Sequence, residues 1–319
     1  MQTFLDELIS KARERSDGYA AASYIPALAA APADAVGVAL TDAEGSLVEA
    51  GDSRLSFTLQ SVSKALALCY VLETRGEDAV FSRVGKEPTG DPFNSIIRLE
   101  TSSRGRPFNP MINAGAIVVT SLMPGASSEE RMAGFGDFAS RVTASTDLRI
   151  DEEVFRSEAM TASRNRSIAW FLDELGLLDA PVDTALECYF RQCALRVDAA
   201  RLSHFGACLA LDGKLPGGAG TAFSMRTARL VKGLMLTCGL YDGSGEFCAA
   251  AGIPAKSGVG GGIVASAKAA TSPLRIGERA FRAPLGIAAY GPALDERGNS
   301  VAALFLLRRL SEEWGLCGF

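Results

Sequence analysis

The spacing of apolar residues changes twice along the chain. Residues 36–41 and 47–50 are short apolar runs on either side of the turn sequence DAEG, a pattern that predicts a β-hairpin. From about residue 61 to residue 236 the spacing is mostly that of helices separated by loops. Residues 285–290 then predict another strand, and residues 301–314 predict a helix.

We therefore expect an α+β fold, with an antiparallel sheet that is flanked by helices and formed from both ends of the chain. An all-helical domain is expected to be inserted between those ends. Residues 1–60 and 225–319 would form the discontinuous α/β sandwich domain, and residues 61–224 the mostly helical domain. The active site is expected at the junction of the two domains.

One predicted helix carries a possible catalytic pair. Residues 57–74, FTLQSVSKALALCYVLET, pass from β-type residues into a nearly continuous apolar surface, which is typical of a buried helix. A helix that begins at Ser61 places Lys64 on the same face of its first turn, where the helix dipole disfavours a cation. Two interpretations remain open: Ser61 is a nucleophile with a desolvated Lys64 as its base, or Ser61 is an ordinary N-cap.

Composition narrows the class of protein. The chain has 319 residues, of which 48% are hydrophobic, enough for a large core in one or two domains. Its net charge is −5 and its sequence pI is about 5.2, so neither a nucleic acid nor a membrane is an expected partner. The first residues lack a signal-peptide pattern, and no apolar run approaches the roughly 18 residues of a membrane span. We expect a cytoplasmic protein.

Cysteine and histidine usage argues against several kinds of site. The seven cysteines are odd in number and mostly lie in apolar segments, which favours buried free thiols in a reducing compartment. The spacing of Cys188 and Cys193 matches no zinc motif. The single histidine, His204, is interpreted as structural. We therefore expect no metal, no cofactor and no serine–histidine–acid triad.

A glycine-rich segment follows Lys256 near the end of the chain. Residues 258–262, GVGGG, permit close approach of the backbone to a ligand. A phosphate-binding loop is the alternative interpretation. Its usual order, G-x-x-x-x-G-K-[ST], is absent here, and no helix clearly follows.

The outer motifs of the chain resemble those of the penicillin-recognising serine enzymes. The S-x-x-K pattern of Ser61 and Lys64 and the later K-S-G pattern at Lys256 match these enzymes in order and separation. The segments in between resemble instead the serine-dependent glutaminase family, in its short microbial form, which shares the β-lactamase/DD-peptidase-like fold. The resemblance covers nearly the whole chain, through YIPALA, GD…QSVSK, EPTGDPFNSI, RPFNPMINAGAI, SE…RN, YFRQC, TCGLYDGSGEF, PAKSGVGGGI and LDERGNSV.

The resemblance implies roles for the matching positions. Ser61 matches the nucleophile and Lys64 matches its base. Asn113, Glu158 and Asn165 match positions that hold the α-amino and α-carboxylate groups of glutamine. These roles suit the chemistry, because a free amino acid needs an acceptor for its ammonium group and a primary amide needs an activated nucleophile.

Two tyrosines and an oxyanion hole complete the implied site. Tyr189 matches a catalytic tyrosine that relays a proton beside the nucleophile, and Tyr241 matches a second one that lines the pocket. The backbone N–H groups of Ser61 and Val259 would stabilise the oxyanion.

The K-S-G segment would support this machinery. Lys256, Ser257 and Gly258 match supporting positions, and Lys256 would help to keep a nearby Lys64 neutral by repulsion between like charges. Whether Lys64 or Tyr189 takes the serine proton is left open by the sequence.

The implied activity is hydrolysis of L-glutamine to L-glutamate and ammonia through a serine-linked glutamyl ester, by a homodimer or homotetramer. One alternative is another amidase, or a β-lactam-reactive serine hydrolase, on the same fold. A second is a catalytically silent amino-acid-binding protein, which is expected to have lost Ser61 or Lys64. Residues 195–218 and 288–292 depart from the family pattern, which bears on packing or subunit contact rather than on chemistry.

Overall fold

The computed structural model of the chain describes residues 2–89, 105–272, 274–276 and 279–319. Residues 90–96 of the motif EPTGDPFNSI lie outside the described residues, so the resemblance there stays a prediction. Among the described residues, no helix is both long and apolar enough to cross a membrane.

Helices make up nearly half of the described residues. We label them in chain order: α1 (Gln2–Ser16), α2 (Ser63–Phe81), α3 (Asn113–Ser121), α4 (Ser128–Val142), α5 (Glu152–Thr161), α6 (Ser163–Glu174), α7 (Val182–Cys193), α8 (Ala199–Ala210), α9 (Met225–Cys238), α10 (Ser244–Ala251) and α11 (Val301–Trp314). Short 3₁₀ turns are found at Pro26–Leu28, Gln60–Val62, Pro216–Gly218 and Tyr241–Gly243.

The strands lie towards the two ends of the chain, apart from one short pair. They are β1 (Gly37–Asp42), β2 (Leu47–Gly51), β3 (Phe57–Thr58), β4 (Arg196–Val197), β5 (Ala255–Ser257), β6 (Gly262–Ala267), β7 (Ala269–Ala270), β8 (Leu274–Ile276), β9 (Arg279–Phe281), β10 (Leu285–Tyr290) and β11 (Leu316–Cys317). Five of them form the main antiparallel sheet in the order β2-β1-β10-β6-β5. The predicted α+β fold, with a sheet drawn from both ends of the chain, is confirmed.

The three central strands of this sheet are buried on both faces. Val38, Ile263 and Ile287 belong to a core cluster shared with α1 and α11. The alternate residues Ala39 and Ala288 belong to a second cluster, shared with α2 and α8. This alternation follows from the two-residue period of a β-strand, and it makes the sheet the middle layer of a sandwich.

Helix α8 lies directly on the strands through small residues. A Cβ atom added at Gly206 would lie 2.5 Å from the carbonyl oxygen of Ala265, and one added at Gly286 would overlap the backbone of α8. The hydroxyl groups of Thr41 and Ser203 also form a 2.7 Å hydrogen bond between β1 and α8. Helix α8 thus covers the sheet although it falls within residues 61–224, the segment predicted to form the helical domain. The domain boundaries stay a prediction.

The segment that carries Ser61 differs in detail from expectation. Helix α2 begins at Ser63 rather than at Ser61, and the 3₁₀ turn Gln60–Val62 precedes it. The residue before α2 is Val62, and no side chain caps the helix. The interpretation of Ser61 as an ordinary N-cap is therefore wrong.

Candidate active site

A cavity of about 300 Å³ is lined by most of the predicted site residues. Its wall includes residues from the 3₁₀ turn before α2, from helices α3, α5, α6 and α7, and from the segment after β5. The predicted residues among them are Ser61, Asn113, Glu158, Asn165, Tyr189 and Val259. These side chains are distant in sequence, and the fold brings them to one concave surface.

Ser61 lies in the turn between β3 and α2 and is only 8% exposed. The preceding residue, Gln60, has a left-handed backbone with φ of 45°, which is unusual for a residue other than glycine. Gly258 packs against this turn: a Cβ atom there would lie 2.6 Å from the carbonyl oxygen of Leu59 and 3.2 Å from the nitrogen of Ser61. The turn therefore depends on close contact with the end of β5.

Lys64 is buried one helical turn beyond the serine. Its Nζ donates to Asn113 Oδ1 at 2.7 Å and to the carbonyl oxygen of Met111 at 3.2 Å. Burial lowers the pKa of Lys64 to about 8, while the negative charge of Glu158 acts in the opposite direction. A substantial fraction of Lys64 is thus neutral near physiological pH and able to accept a proton.

Two amide side chains, Asn113 and Asn165, connect Lys64 to helix α6 in the cavity wall. The amide of Asn113 uses its oxygen to accept from Lys64, and its Nδ2 donates to Asn165 Oδ1 at 3.0 Å. Asn113 is buried at the first turn of α3, whereas Asn165 on α6 is partly exposed. Side chains that would bind substrate are thereby hydrogen-bonded to the side chain that would act as base.

Glu158 supplies a buried carboxylate to the same cavity. Its Oε2 has no hydrogen-bond partner among the described residues, although the residue is only 7% exposed. Burial raises the pKa of Glu158 to about 8, and the positive charge of Lys64 and a hydrogen bond from Gln60 oppose that rise. A buried oxygen without a partner is costly, and a ligand that carries an ammonium group would satisfy it.

The two predicted tyrosines line two different cavities. Tyr189 on α7 lines the cavity, and burial raises the pKa of its hydroxyl well above the usual value. Tyr241 is part of the wall of a neighbouring cavity, and the nearby hydroxyls of Ser61 and Ser257 act to lower the pKa of its buried hydroxyl. Burial raises the pKa of Tyr241 to about 12, so both hydroxyls keep their protons at neutral pH.

Lys256 lies fully buried beneath the site on β5. Its Nζ donates to the carbonyl oxygens of Gly239 at 2.9 Å and Ser257 at 2.7 Å, and lies 4.8 Å from the centre of the Tyr241 ring. Burial, followed by the positive charge of Lys64, lowers the pKa of Lys256 well below its usual value. The repulsion expected between the two lysines therefore acts on Lys256, whereas burial is what lowers the pKa of Lys64.

Ser257 joins the supporting segment to the start of α11. Its hydroxyl donates to Asn299 Oδ1 at 2.6 Å, and the amide of Asn299 donates to the carbonyl oxygen of Leu240. This network fixes β5 relative to the segment that carries Tyr241. All of the predicted site residues thus lie close together, and their roles stay predictions.

Seven further residues line the cavity and were given no role from sequence. Among them are Tyr24, Gln60 and Cys193. Tyr24 and Cys193 belong to the family motifs YIPALA and YFRQC, and Gln60 directly precedes Ser61. Their positions in the sequence therefore indicated that each could lie near the site. His204, which was interpreted as structural, contacts the carbonyl oxygen of Val142 at 2.9 Å and is absent from the cavity wall.

The chain is similar to known proteins over nearly its whole length. The family model for glutaminase matches residues 20–319. Glutaminase 2 of Clostridium perfringens is 43% identical over 319 residues, which are 100% of each chain. A crystal structure of a probable glutaminase from Bacillus subtilis has a TM-score of 0.91 and 39% identity, covering 99% of this chain and 97% of that one.

A further solved structure shows a Bacillus subtilis glutaminase in a covalent complex with 5-oxo-L-norleucine, formed by reaction with 6-diazo-5-oxo-L-norleucine. Its TM-score is 0.85 at 35% identity, and the match covers 99% of each chain. The predicted β-lactamase-like fold is confirmed by these structural neighbours. With a family model matched over nearly its whole length and a relative aligned from end to end, the chain belongs to the glutaminase family.

Proposed function

We propose that this protein hydrolyses L-glutamine to L-glutamate and ammonia through a glutamyl ester on Ser61. The observation that carries the proposal is the arrangement of three groups: a buried serine in the cavity wall, a lysine one helical turn beyond it whose pKa burial lowers to about 8, and a buried carboxylate oxygen in the same wall that has no hydrogen-bond partner among the described residues. The first two groups suit nucleophilic attack on an amide, and the third suits recognition of an α-ammonium group.

Substrate recognition is assigned to the carboxylate and the two amides of the cavity wall. Glu158 accepts hydrogen bonds from the α-ammonium group, and the amides of Asn113 and Asn165 hold the α-carboxylate and α-amino groups. Support comes from the burial of Glu158 and from the hydrogen bond between the two amides. Binding of an ammonium group lowers the pKa of Glu158, because the charged form gains a partner of opposite charge.

The chemical steps are assigned to Ser61 and the groups around it. Ser61 attacks the side-chain carbonyl carbon while Lys64, or Tyr189 acting with it, accepts the proton, and the backbone N–H groups of Ser61 and Val259 stabilise the oxyanion. The departing nitrogen takes a proton relayed by the Tyr189 hydroxyl and leaves as ammonia. Water then attacks the glutamyl ester, which releases glutamate and regenerates the Ser61 hydroxyl.

Release of ammonia and glutamate from glutamine tests this function. We expect equimolar formation of both products by the wild-type protein, and loss of more than about 10³-fold in kcat for Ser61→Ala. Glutamine binding to Ser61→Ala, measured by calorimetry, should persist because the groups that hold the amino acid are intact. Turnover of that variant near the wild-type rate would contradict the assignment of the nucleophile.

Two competing functions are separated by the same assays. Faster turnover of a chromogenic cephalosporin than of glutamine would favour a β-lactam-reactive enzyme. Calorimetric binding of glutamine without release of ammonia would favour a silent amino-acid-binding protein. Ser61 and Lys64 are both present, and Lys64 is hydrogen-bonded to Asn113, which disfavours the silent protein.

A homodimer or homotetramer in the cytoplasm is the proposed setting. Support for a reducing compartment comes from the cysteines, all seven of which are free. Two exposed apolar side chains on neighbouring helices, Met160 and Trp170, are candidates for a subunit contact. Sedimentation velocity would give the oligomeric state.

A further inference from the structure

Helices α5 and α6 meet at one residue in the cavity wall. Helix α5 ends at Thr161 and α6 begins at Ser163, so Ala162 is the flanking residue of both. Thr161, Ala162 and Asn165 line the cavity together with Glu158, which belongs to the last turn of α5. The first turn of α6 and the buried carboxylate therefore belong to the same wall.

The start of α6 favours an anion in this cavity. The first N–H groups of a helix have no acceptor within the helix, and no side chain caps α6. The helix dipole adds a partial positive charge at this end. Independently, the buried Oε2 of Glu158 has no partner among the described residues, which indicates a ligand with a cationic group in the same cavity.

Arg164 brings a full positive charge to the first turn of α6. It directly precedes Asn165 and is the only lysine or arginine among the described residues of the cavity wall. Its exposed guanidinium group has no hydrogen bond or ion pair with another described residue. Lys64 is not an alternative cation for a ligand, because the proposed mechanism requires its neutral form.

We propose that Arg164, with the first turn of α6, binds the α-carboxylate of the substrate while Glu158 binds its α-ammonium group. The inference rests on the proposed function, and it adds a charged partner for the carboxylate to the two amides. A guanidinium group can donate two parallel hydrogen bonds to a carboxylate. The site therefore favours a free amino acid over a glutamine residue whose α-carboxyl group is blocked, as in a peptide.

Three variants test the role of this arginine. Arg164→Gln removes the charge from the cavity wall, and Arg164→Lys keeps a charge without the planar guanidinium group. The matched control is Arg166→Gln, because Arg166 is exposed on the same helix but absent from the cavity wall. Residues two apart do not share a helix face, and the control changes the net charge by the same amount. Thermal unfolding establishes that each variant is folded.

Two ligands separate contact with the carboxylate from a general effect on the cavity. L-glutamine carries the carboxylate, whereas its α-amide keeps the α-ammonium group and the side-chain amide but lacks that charge. KM for glutamine is measured from glutamate formation. The α-amide is measured as a competitive inhibitor of this reaction, because its own side-chain hydrolysis yields no glutamate.

The inference predicts that Arg164→Gln raises KM for glutamine about fivefold, with kcat within twofold of the wild type. The inhibition constant of the α-amide should stay within twofold, since this ligand has no carboxylate to lose a partner. Arg164→Lys should raise KM less than Arg164→Gln does. Arg166→Gln should keep the wild-type values of all three quantities.

Two outcomes would overturn the inference. One is a folded Arg164→Gln variant whose KM for glutamine equals that of Arg166→Gln. The other is an equal rise in KM and in the inhibition constant of the α-amide, which would show a distorted wall rather than a lost contact. Absence of glutamate formation in the wild type and in Arg166→Gln would instead contradict the proposed function. Calorimetric titration of both ligands into the same variants would then test the inference alone, with the same ratios expected for the dissociation constants.

Discussion

At the scale of single residues, the site is dominated by two buried groups of opposite charge that titrate in the same range. The pKa of Lys64 is lowered to about 8 and that of Glu158 is raised to about 8, and burial is the largest cause of both shifts. Each charge partly offsets the shift of the other. Below pH 8 both groups are mainly protonated, so neutral Lys64 and ionised Glu158, the forms that the proposed mechanism requires, are the minority forms.

This titration predicts the pH dependence of the reaction. Neutral Lys64 and ionised Glu158 both become more abundant as the pH rises, so kcat/KM for glutamine should rise through a midpoint near pH 8 with a slope steeper than one proton. A steady-state pH profile of the wild-type protein measures this. A profile that is flat from pH 6 to 9 would contradict the proposed forms of the two groups.

Replacement of the carboxylate separates the two titrations. In Glu158→Gln the negative charge that raises the pKa of Lys64 is lost, so the remaining limb should become shallower and move to lower pH. KM should rise about 10–100-fold, since a hydrogen bond to a charged group contributes about 1.5–3 kcal/mol. The control is Glu153→Gln at an exposed position of the same helix, and it should leave the pH profile and KM unchanged.

At the scale of elements, the position of the nucleophile depends on contact between a turn and a strand end. Gly258 and Gly260 after β5 lie against the 3₁₀ turn: an added Cβ would meet the carbonyl oxygen of Leu59 at 2.6 Å in one case and that of Thr58 at 2.6 Å in the other. Side chains at either position would push the turn away from β5. Glycine is therefore required here by close backbone packing.

We expect Gly258→Ala to have a larger effect on kcat than on the free energy of unfolding. Displacement of the serine by a few tenths of an ångström to 1 Å can cost about 10–100-fold in rate, because attack requires aligned groups. The control is Gly233→Ala in α9, where an added Cβ meets nothing within 4 Å and stability should rise by up to about 1 kcal/mol. Equal kcat values for the two variants would show that the turn tolerates the added methyl group.

Some elements follow from local sequence, and others do not. Strands β1, β2 and β10 and helix α11 lie at or within one residue of their predicted bounds, because their apolar periodicity is local. The start of α2 was misplaced by two residues, since the left-handed Gln60 and the 3₁₀ turn depend on packing with Gly258. The local sequence of the turn does not show that the end of β5, which is distant in the chain, packs against it in the folded protein.

At the scale of the whole molecule, the central sheet is a middle layer between α8 on one face and α1 and α11 on the other. The backbones of α8 and β10 are in direct contact, which requires glycine at Gly206 and Gly286. The cavity wall includes Val259 from the segment after β5, the edge strand of this sheet, so the sheet positions this part of the site. Motif resemblance predicted which residues meet, whereas burial, pKa values and hydrogen-bond partners required the structure.

Gly286→Ala should destabilise the fold without changing the chemistry. The added Cβ would overlap the backbone of α8, and overpacking of a dense core costs about 1–3 kcal/mol in the free energy of unfolding. Urea denaturation should show this loss, while KM of the folded enzyme stays at the wild-type value. A loss below about 0.5 kcal/mol would mean that α8 can move away from the sheet at little cost.

The central claim is that Ser61 is the nucleophile in a pocket shaped for glutamine. The most direct test is intact mass measurement after incubation with 6-diazo-5-oxo-L-norleucine, followed by peptide mapping. We expect one 5-oxo-norleucine group per chain, located on Ser61, slowed by glutamine and absent from Ser61→Ala. An adduct on another residue, or none on a folded protein that hydrolyses glutamine, would contradict the account.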